Sequence, residues 1–287
     1  MRMLPFHQVV DCVKQLYIEC AHKLPGDVQA ALAATAQTET NPRAKHILAQ
    51  LVENARIAEQ DLIPLCQDTG LPVAFIEIGS EIVITTSAEN KNATVADAVQ
   101  QGIALATVQG FLRSSVVAEP LNHRKNTGVN TPAVVHTTVV AGDKLKITLM
   151  AKGGGCENKS VFKMFNPTET KETIARWIVQ VVMDAGADAC PPFIIGTGLG
   201  GNLEQACLLA KKALLRAIGS KNPDPFYAQL EEKLLAAVNA TGLGPAGLGG
   251  QTTALAVFIE TAACHIASLP VAVNIECHSH RHKSAVL

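Results

Sequence analysis

The chain has 287 residues, of which 48% are apolar and 17% are charged, and its formal net charge is −1 at pH 7. This length and apolar fraction suffice for a large buried core, so the composition excludes a disordered chain. The 24 basic and 25 acidic residues argue against a nucleic-acid partner, because no net positive charge is available to neutralise phosphates. No apolar run approaches the roughly 18 residues of a membrane-spanning helix, so no membrane partner is expected.

The first 65 residues are predicted to be helical, and the rest alternates between strands and helices. Val9, Val13 and Leu16 recur at helical spacing, and a second helix is predicted from Asn41, as the N-cap, to about Ile63. Alternation and short apolar runs predict strands at 74–78, 82–84, 133–140, 145–151, 193–195, 254–259 and 269–275. Helical spacing and capping residues predict further helices at 94–112, after an N-cap at Asn166, at 202–218 and at 226–238.

These elements predict a mixed α/β fold of the α+β type, in which a helical N-terminal segment precedes mixed sheets flanked by helices. The sequence shows no internal repeat and no long linker. We therefore expect a single domain over residues 1–287, with 1–65 as its helical segment. Asp11 and Lys14 occur too early for a secretion signal, which predicts a cytoplasmic location and reduced cysteines.

The segment Gly196–Gly201 matches the pattern Gly-x-Gly-x-x-Gly, after an apolar run and before a predicted helix. This context is typical of a dinucleotide-binding turn, so a nucleotide-dependent oxidoreductase is one alternative function. The alternative is weak, because no buried strand ending in Asp or Glu follows the helix. A tight turn that presents helix N–H groups to another anion, such as a carboxylate, is the other interpretation.

The eight cysteines fall into two groups. Four lie on predicted helical faces or among small residues, which is typical of core cysteines: Cys12, Cys20, Cys207 and Cys264. Four lie in loops at the ends of predicted elements, where a thiolate can face a shared cavity: Cys66, Cys156, Cys190 and Cys277. The sequence contains no Cys-x-x-Cys pair, so spacing alone identifies neither a metal site nor a redox site.

Five motifs occur in the order found in one enzyme family. They are Cys66–Gly70 (Cys-Gln-Asp-Thr-Gly), Asn126–Ala133, Lys152–Gly155 followed by Glu157–Lys159, Cys190–Pro192 leading into Gly196–Gly201, and Gly247–Gln251. Together they resemble the α subunit, or N-terminal half, of the class I iron–sulfur fumarase and L-tartrate dehydratase family, over about residues 45–280. The resemblance implies a hydro-lyase that reversibly dehydrates a small 2-hydroxy dicarboxylic acid, malate to fumarate or tartrate to oxaloacetate.

The resemblance also implies a cofactor. Cys66, Cys190 and Cys277 match the three cysteines that hold a [4Fe-4S] cluster in the family. Three thiolates leave one iron with an open position, where it can act as a Lewis acid. Cys156 follows the triple glycine, where the family often has serine, and is interpreted as a small loop residue. The alternative is a fourth ligand in a non-catalytic iron–sulfur or zinc scaffold.

Five further residues match functional positions of the family. Asp68 and His265 match catalytic-site residues, and Gln67, Arg113 and Gly155 match substrate-binding residues. A carboxylate can move the proton, while a guanidinium, a side-chain amide and a backbone N–H can bind substrate carboxylates. Three of these residues also have a plainer interpretation: an Asx turn for Asp68, a solvated helix-end charge for Arg113 and a satisfied buried histidine for His265.

Ten residues follow Cys277, whereas the single-chain members of the family continue into a second domain. We therefore expect a separate β subunit that completes the active site, in an α2β2 assembly that acts on a dicarboxylate. The last residues, 278–287, are predicted to be a polar, solvated tail in which His278, His280 and His282 alternate. The sequence does not choose among fumarate, tartrate and methylated dicarboxylates.

Overall fold

The computed structural model describes residues 1–86 and 91–287 and confirms the mixed α/β class. The helices are α1 (Phe6–His22), α2 (Gly26–Thr38), α3 (Pro42–Asp61), α4 (Val95–Gln109), α5 (Gly154–Glu157), α6 (Lys171–Ala185), α7 (Leu203–Ala213) and α8 (Pro225–Asn239). The strands are β1 (Arg2–Pro5), β2 (Leu71–Gly79), β3 (Ile82–Thr85), β4 (Val134–Val140), β5 (Leu145–Lys152), β6 (Val161–Phe165), β7 (Phe193–Gly200), β8 (Ala254–Ala262), β9 (Leu269–Glu276) and β10 (His282–Val286). Within these ranges, no helix is both long enough and apolar enough to cross a membrane.

The chain forms two compact units, each built from segments that are separated in the sequence. Unit 1 consists of Met1–Pro25, Ala55–Gly153 and Arg281–Leu287. Unit 2 consists of Gly26–Asn54 and Gly154–His280. The segment predicted to be helical over 1–65 does contain α1, α2 and α3. It is shared between the units, because α1 lies in unit 1, α2 lies in unit 2 and the boundary falls within α3.

Unit 1 is a four-stranded sheet with helices α1 and α4 packed together in its core. The strand order is β10-β5-β2-β4, where β2 is antiparallel to β5 and parallel to β4. The core includes Val9 and Val13 of α1, Ile103 of α4 and Leu149 of β5. Helix α4 begins with a capping box in which Thr94 and Asp97 bond each other's backbone N–H groups.

Strands β2 and β3 follow each other across a turn at residues 80–81, in agreement with the strands predicted at 74–78 and 82–84. They do not pair with each other; β3 pairs in parallel with β1, an unpredicted strand, from Arg2 opposite Ile82 onward. Strand β2 is also more buried than its alternation predicts, because all five residues from Pro72 to Ile76 are buried. Both faces of this stretch are therefore covered, and the alternation of buried and exposed residues is lost.

Unit 2 repeats the sheet of unit 1, except that its outer strand β6 comes first in the chain, whereas the outer strand β10 of unit 1 comes last. Its strand order is β6-β9-β7-β8, again with two antiparallel pairs followed by one parallel pair. In each unit the chain passes from a central strand (β2 or β7) through helix to a parallel neighbour (β4 or β8). The next strand (β5 or β9) then pairs with the other side of the central strand. Cys66 and Cys190 lie in the loops that lead into these two central strands, although the sequence shows no repeat.

The glycine-rich segment is part of a strand, which corrects the prediction of a turn. Gly196 and Gly198 lie in β7. A Cβ on Gly196 would lie 2.1 Å from the Ala210 carbonyl oxygen, and a Cβ on Gly198 would lie 2.0 Å from the Ala206 carbonyl oxygen. Helix α7 therefore packs directly on the backbone of β7. Because α7 covers this glycine face, the segment does not form the phosphate-binding turn that a nucleotide-dependent oxidoreductase needs.

Replacing Gly198 with alanine is expected to destabilise unit 2. The new Cβ would collide with the backbone of α7, so the helix or the strand must shift, at a cost of about 1–3 kcal/mol. Denaturant unfolding of the variant measures this cost. Gly26→Ala is the control, because nothing lies within 4 Å of a Cβ there. Equal stability of the two variants would contradict the packing argument.

Helix α6 begins later than predicted. Its N-cap is Thr170, whose side chain accepts a hydrogen bond from the Thr173 N–H, rather than Asn166. Asn166 instead forms an Asx turn, in which its Oδ1 accepts from the Thr168 N–H at 3.1 Å. Asn and Asp side chains favour both arrangements, and sequence alone does not separate them. Helix α7 also ends at Ala213, five residues before the predicted end.

The C-terminal residues form an ordered edge of unit 1 rather than a solvated tail. Strand β10 pairs with β5 from His282 opposite Met150 onward, and Leu287 packs against the core of unit 1. Arg281 is 1% exposed. In unit 2, His280 is also 1% exposed, and its Nε2 lies 2.7 Å from the Leu214 carbonyl oxygen. The prediction was wrong because the strand's partner lies more than 130 residues away, which local polarity does not reveal.

Candidate active site

The loop Cys66–Gly70 in unit 1 is built on an Asx turn. The Asp68 Oδ1 accepts a hydrogen bond from the Gly70 N–H at 2.9 Å. Cys66 and Asp68 are half-buried and Gln67 is exposed, so all three side chains reach the surface of the unit. A carboxylate has about four acceptor positions, and the turn occupies one of them. The Asx turn is therefore compatible with a chemical role for Asp68.

Gly70 fixes the end of this loop against β5. Its φ is +77°, a left-handed conformation that side chains disfavour. A Cβ at this position would lie 2.8 Å from the carbonyl carbon of Ala151. Only glycine permits this approach, which sets the position from which Cys66, Gln67 and Asp68 project.

Buried Asn130 joins this loop to the segment that carries Arg113. The Asn130 Nδ2 donates to the Arg113 carbonyl oxygen at 3.0 Å, and its Oδ1 accepts from the Ser115 N–H at 2.7 Å. The Thr69 hydroxyl donates to the same Arg113 carbonyl at 2.6 Å. Asn130 is fully buried, and the Arg113 side chain is exposed. The backbone of Arg113 is thus fixed, while its guanidinium faces outward.

Replacing Asn130 with alanine is expected to loosen this connection. Loss of the amide leaves buried polar groups unpaired, which costs about 1–3 kcal/mol of stability. The resemblance described above implies that Arg113 binds substrate, so release of its backbone is also expected to raise KM. Denaturation and steady-state kinetics measure the two effects, with Asn122→Ala on the same long loop as a control. A stable variant with unchanged KM would contradict the proposed connection.

A buried cation and a buried phenol hold the loop from its inner side. The Arg281 Nη1 donates to the Asp68 carbonyl oxygen at 2.7 Å, and the Tyr17 hydroxyl donates to the Thr69 carbonyl oxygen at 3.2 Å. Burial raises the pKa of the Tyr17 hydroxyl, while the charge of Arg281 opposes that rise. Tyr17 therefore remains a hydrogen-bond donor throughout the physiological range of pH.

In unit 2, the backbone brings Cys190 next to Cys277. The Cys190 carbonyl oxygen accepts from the N–H of His278 at 3.3 Å and lies 3.0 Å from the His278 Nδ1. Cys190 is exposed and has a left-handed φ of +58°, which is uncommon for a residue with a side chain. Residues held in such strained conformations cluster at active sites and ligand-binding positions. Cys277 is half-buried at the end of β9.

Cys156, Glu276 and Cys277 form a compact group in unit 2. The Cys156 thiol donates to the Glu276 Oε1 at 3.2 Å, and the same oxygen accepts from the Cys277 N–H at 3.2 Å. Their three ligand atoms lie within 4.8 Å of one another. Glu276 belongs to none of the sequence motifs and was not predicted, whereas Cys156 was predicted to be a small loop residue. Cys156 is indeed buried, but its thiol contacts a carboxylate rather than apolar side chains alone.

The other two predicted site residues of unit 2 lie in different places. Gly155 lies in the short helix α5, next to Cys156. His265 is exposed in the loop between β8 and β9, where its Nδ1 accepts from the Ala267 N–H at 3.0 Å. Cys277 follows the far end of β9, about 23 Å from its beginning at 3.3 Å per residue. Unit 2 therefore brings Cys190 and Cys277 together and leaves His265 at the opposite end of its sheet.

The predicted core cysteines are buried to different extents. Burial raises the pKa of Cys20 to about 12 and also raises the pKa values of the Cys12 and Cys207 thiols, so all three favour the thiol form. Cys264 is a correction, because it is exposed and its thiol donates to the Ser268 carbonyl oxygen at 3.4 Å. The small residues around it belong to a loop rather than to the core. No cysteine in the described residues forms a disulfide.

Comparison with known proteins identifies the family of this chain. Residues 10–286 match the family model described as fumarate hydratase (Fumerase). The chain belongs to the fumarate hydratase family. A Methanocaldococcus jannaschii protein that provisionally carries the name L(+)-tartrate dehydratase subunit alpha is 40% identical over 96% of this chain and 95% of its own length. An Escherichia coli L(+)-tartrate dehydratase subunit alpha (strain UTI89) is 33% identical over 90% of this chain and 84% of its own.

Family membership confirms the resemblance inferred from the five motifs. The motif loops of unit 1 and unit 2 all lie within the matched residues 10–286. The family's names, fumarate hydratase and tartrate dehydratase, both denote hydro-lyases, so the coarse reaction class of this chain is that of a hydro-lyase.

Proposed function

We propose that this chain is the α subunit of an iron–sulfur hydro-lyase that reversibly dehydrates a small 2-hydroxy dicarboxylic acid, malate to fumarate or tartrate to oxaloacetate. The observation that carries this proposal is the hydrogen bond from the N–H of His278, the neighbour of Cys277, to the Cys190 carbonyl oxygen. It brings the two cysteines together in loops at the strand ends, where functional residues concentrate. Cys66 occupies the equivalent loop of unit 1.

Cys66, Cys190 and Cys277 are the proposed ligands of a [4Fe-4S] cluster. The donor set fits, because cysteine thiolates are the usual ligands of such clusters. Cys66 and Cys277 are half-buried and Cys190 is exposed, so all three thiols have access to the surface, in contrast to fully buried Cys20. When bound by three thiolates, the cluster supplies an iron with an open position that polarises hydroxyl and carboxylate groups of a substrate.

The chain itself supplies the proton-transfer and substrate-binding groups. Asp68 is proposed to remove or return the proton on the carbon next to a substrate carboxylate. The Arg113 guanidinium binds a carboxylate in a bidentate manner, the Gln67 amide donates to it, and the Gly155 N–H adds a further donor. Asn130 and Arg281 hold the backbones of Arg113 and Asp68 in place.

His265 is a proposed catalytic residue whose role does not depend on proximity to Cys190 or Cys277. Its ring is exposed, and one nitrogen already accepts a backbone N–H. The other nitrogen can exchange a proton with a group outside unit 2. If a His265→Gln variant retained wild-type kcat and KM, His265 would not be a catalytic residue.

A β subunit is the proposed partner, in an α2β2 assembly within the cytoplasm. The relatives from M. jannaschii and E. coli are both named as alpha subunits, and this chain covers most of their lengths. We propose that the β subunit provides the groups for the second substrate carboxylate and part of the specificity pocket. The chain alone is then expected to bind a cluster and to lack activity.

The test is anaerobic purification of this chain with and without the β subunit of its own organism. We expect the complex to act on at least one of malate, fumarate, either tartrate or mesaconate, to lose activity in air, and to regain it with ferrous iron and thiol. Full activity of the chain alone would refute the need for a β subunit. A complex with an intact cluster and no activity on any of these acids would refute the proposed reaction.

A further inference from the structure

Unit 2 contains a second arrangement of metal-binding atoms that the proposed cluster does not explain. Cys156, Glu276 and Cys277 converge from helix α5 and the end of β9. The Glu276 carboxylate is fully buried, and Cys156 is 3% exposed. A fully buried carboxylate beside a buried thiol is unusual as a merely structural arrangement, because burying an ionisable group is costly.

The distances in this group are close to those of a tetrahedral zinc site. The Glu276 Oε1 lies 3.2 Å from the Cys156 Sγ and 3.7 Å from the Cys277 Sγ, and all ligand atoms lie within 4.8 Å of one another. Zinc bonds of about 2.3 Å to sulfur and 2.1 Å to oxygen place tetrahedral S and O ligands about 3.6 Å apart, and two S ligands about 3.8 Å apart. Small side-chain movements would therefore complete the geometry.

The group is also held firmly in place. Glu157, next to Cys156, forms an ion pair with Lys211 of α7 and accepts from the Asn274 amide of β9 at 3.4 Å. These contacts fix α5 against the sheet, so Cys156 and Glu276 are pre-positioned.

We propose that Cys156, Glu276 and Cys277 bind a thiophilic divalent cation of the zinc class whenever no iron–sulfur cluster occupies Cys277. Two thiolates and a carboxylate suit zinc, whereas iron–sulfur clusters are usually held by thiolates alone. Half-buried Cys277 leaves one side open for a water as fourth ligand. The proposal rests on the proposed function at one point only, because Cys277 is a ligand in both sites.

The test uses the cluster-free full chain, prepared anaerobically with a chelator, and Co²⁺ as a spectroscopic probe that Zn²⁺ displaces. We expect one metal per chain, thiolate-to-cobalt charge-transfer absorption, and a raised Tm with Zn²⁺. Cys156→Ser and Glu276→Gln should each weaken zinc binding by at least about tenfold. Cys264→Ser, which alters an exposed thiol in the loop at the opposite end of β9, is the control.

Two results would overturn the proposal. The first is unchanged zinc affinity in both Cys156→Ser and Glu276→Gln, when circular dichroism shows that both variants are folded. If either variant is unfolded, Cys156→Ala is measured in its place. The second is loss of the reconstituted iron–sulfur cluster in Cys156→Ser, which would make Cys156 a cluster ligand instead. Because the zinc measurements use the cluster-free chain, their outcome is independent of whether the hydro-lyase function is correct.

Discussion

Replacing Cys277 with serine is expected to remove the iron–sulfur absorption of the assembled enzyme and to lower its activity by at least about 100-fold. Loss of a group that merely supports a metal ligand costs 10- to 100-fold, so loss of a ligand should cost more. Serine nearly preserves the shape of the side chain, and the Cys277 N–H can still donate to Glu276. Cys66→Ser and Cys190→Ser should have the same effect.

The controls for this prediction are other cysteines of the same units. Cys12 in unit 1 and Cys207 in unit 2 are partly buried, and burial raises the pKa values of both thiols. Their serine variants should retain wild-type iron and sulfide content. If Cys277→Ser kept a full complement of iron and wild-type activity, Cys277 would not be a ligand, and the proposed ligand set would be wrong.

Replacing Asp68 with asparagine is expected to lower kcat by about 10²- to 10⁴-fold with little effect on stability. This range is typical for loss of a general base or acid. The asparagine Oδ1 can still accept from the Gly70 N–H, so the Asx turn persists while the carboxylate is lost. Steady-state kinetics of the assembled complex, together with thermal unfolding, separate the two roles of this residue.

Asp68→Ala provides the comparison, because alanine removes both the turn and the carboxylate. It should lose activity to a similar extent and also lose about 0.5–1.5 kcal/mol of stability. If Asp68→Asn kept kcat within a few-fold of wild type, Asp68 would be a turn residue only. If the remaining activity of Asp68→Asn rose at a different pH from the activity of the wild type, another residue would be acting as the base.

The sequence predicted most elements of the fold, and its errors have specific physical causes. Helices α1, α3 and α8 follow from apolar residues at helical spacing. The glycine segment of β7 was interpreted as a turn, although Gly196, Gly198 and Gly200 alternate with Thr197 and Leu199, which is the period of a strand. A strand face made only of glycine lacks the apolar side chains by which a strand is usually detected.

The site was predicted unevenly for a similar reason. Motif resemblance provided the loops of Cys66 and Cys190, but it gave no role to the residues that support them. Asn130, Arg281 and Glu276 are polar or charged, and sequence patterns place such residues at the surface. Their burial depends on neighbours in distant segments, as when Arg281 reaches the Asp68 carbonyl oxygen across 213 positions of the chain.

The discontinuity of unit 1 affects the order in which a newly synthesised chain can fold. Strand β5 ends at Lys152, but its edge partner β10 begins only at His282. Every residue of unit 2 precedes β10 in the chain, so the sheet of unit 2 can form without β10. The sheet of unit 1 must wait, with one edge of β5 unpaired, until residues up to Val286 have emerged.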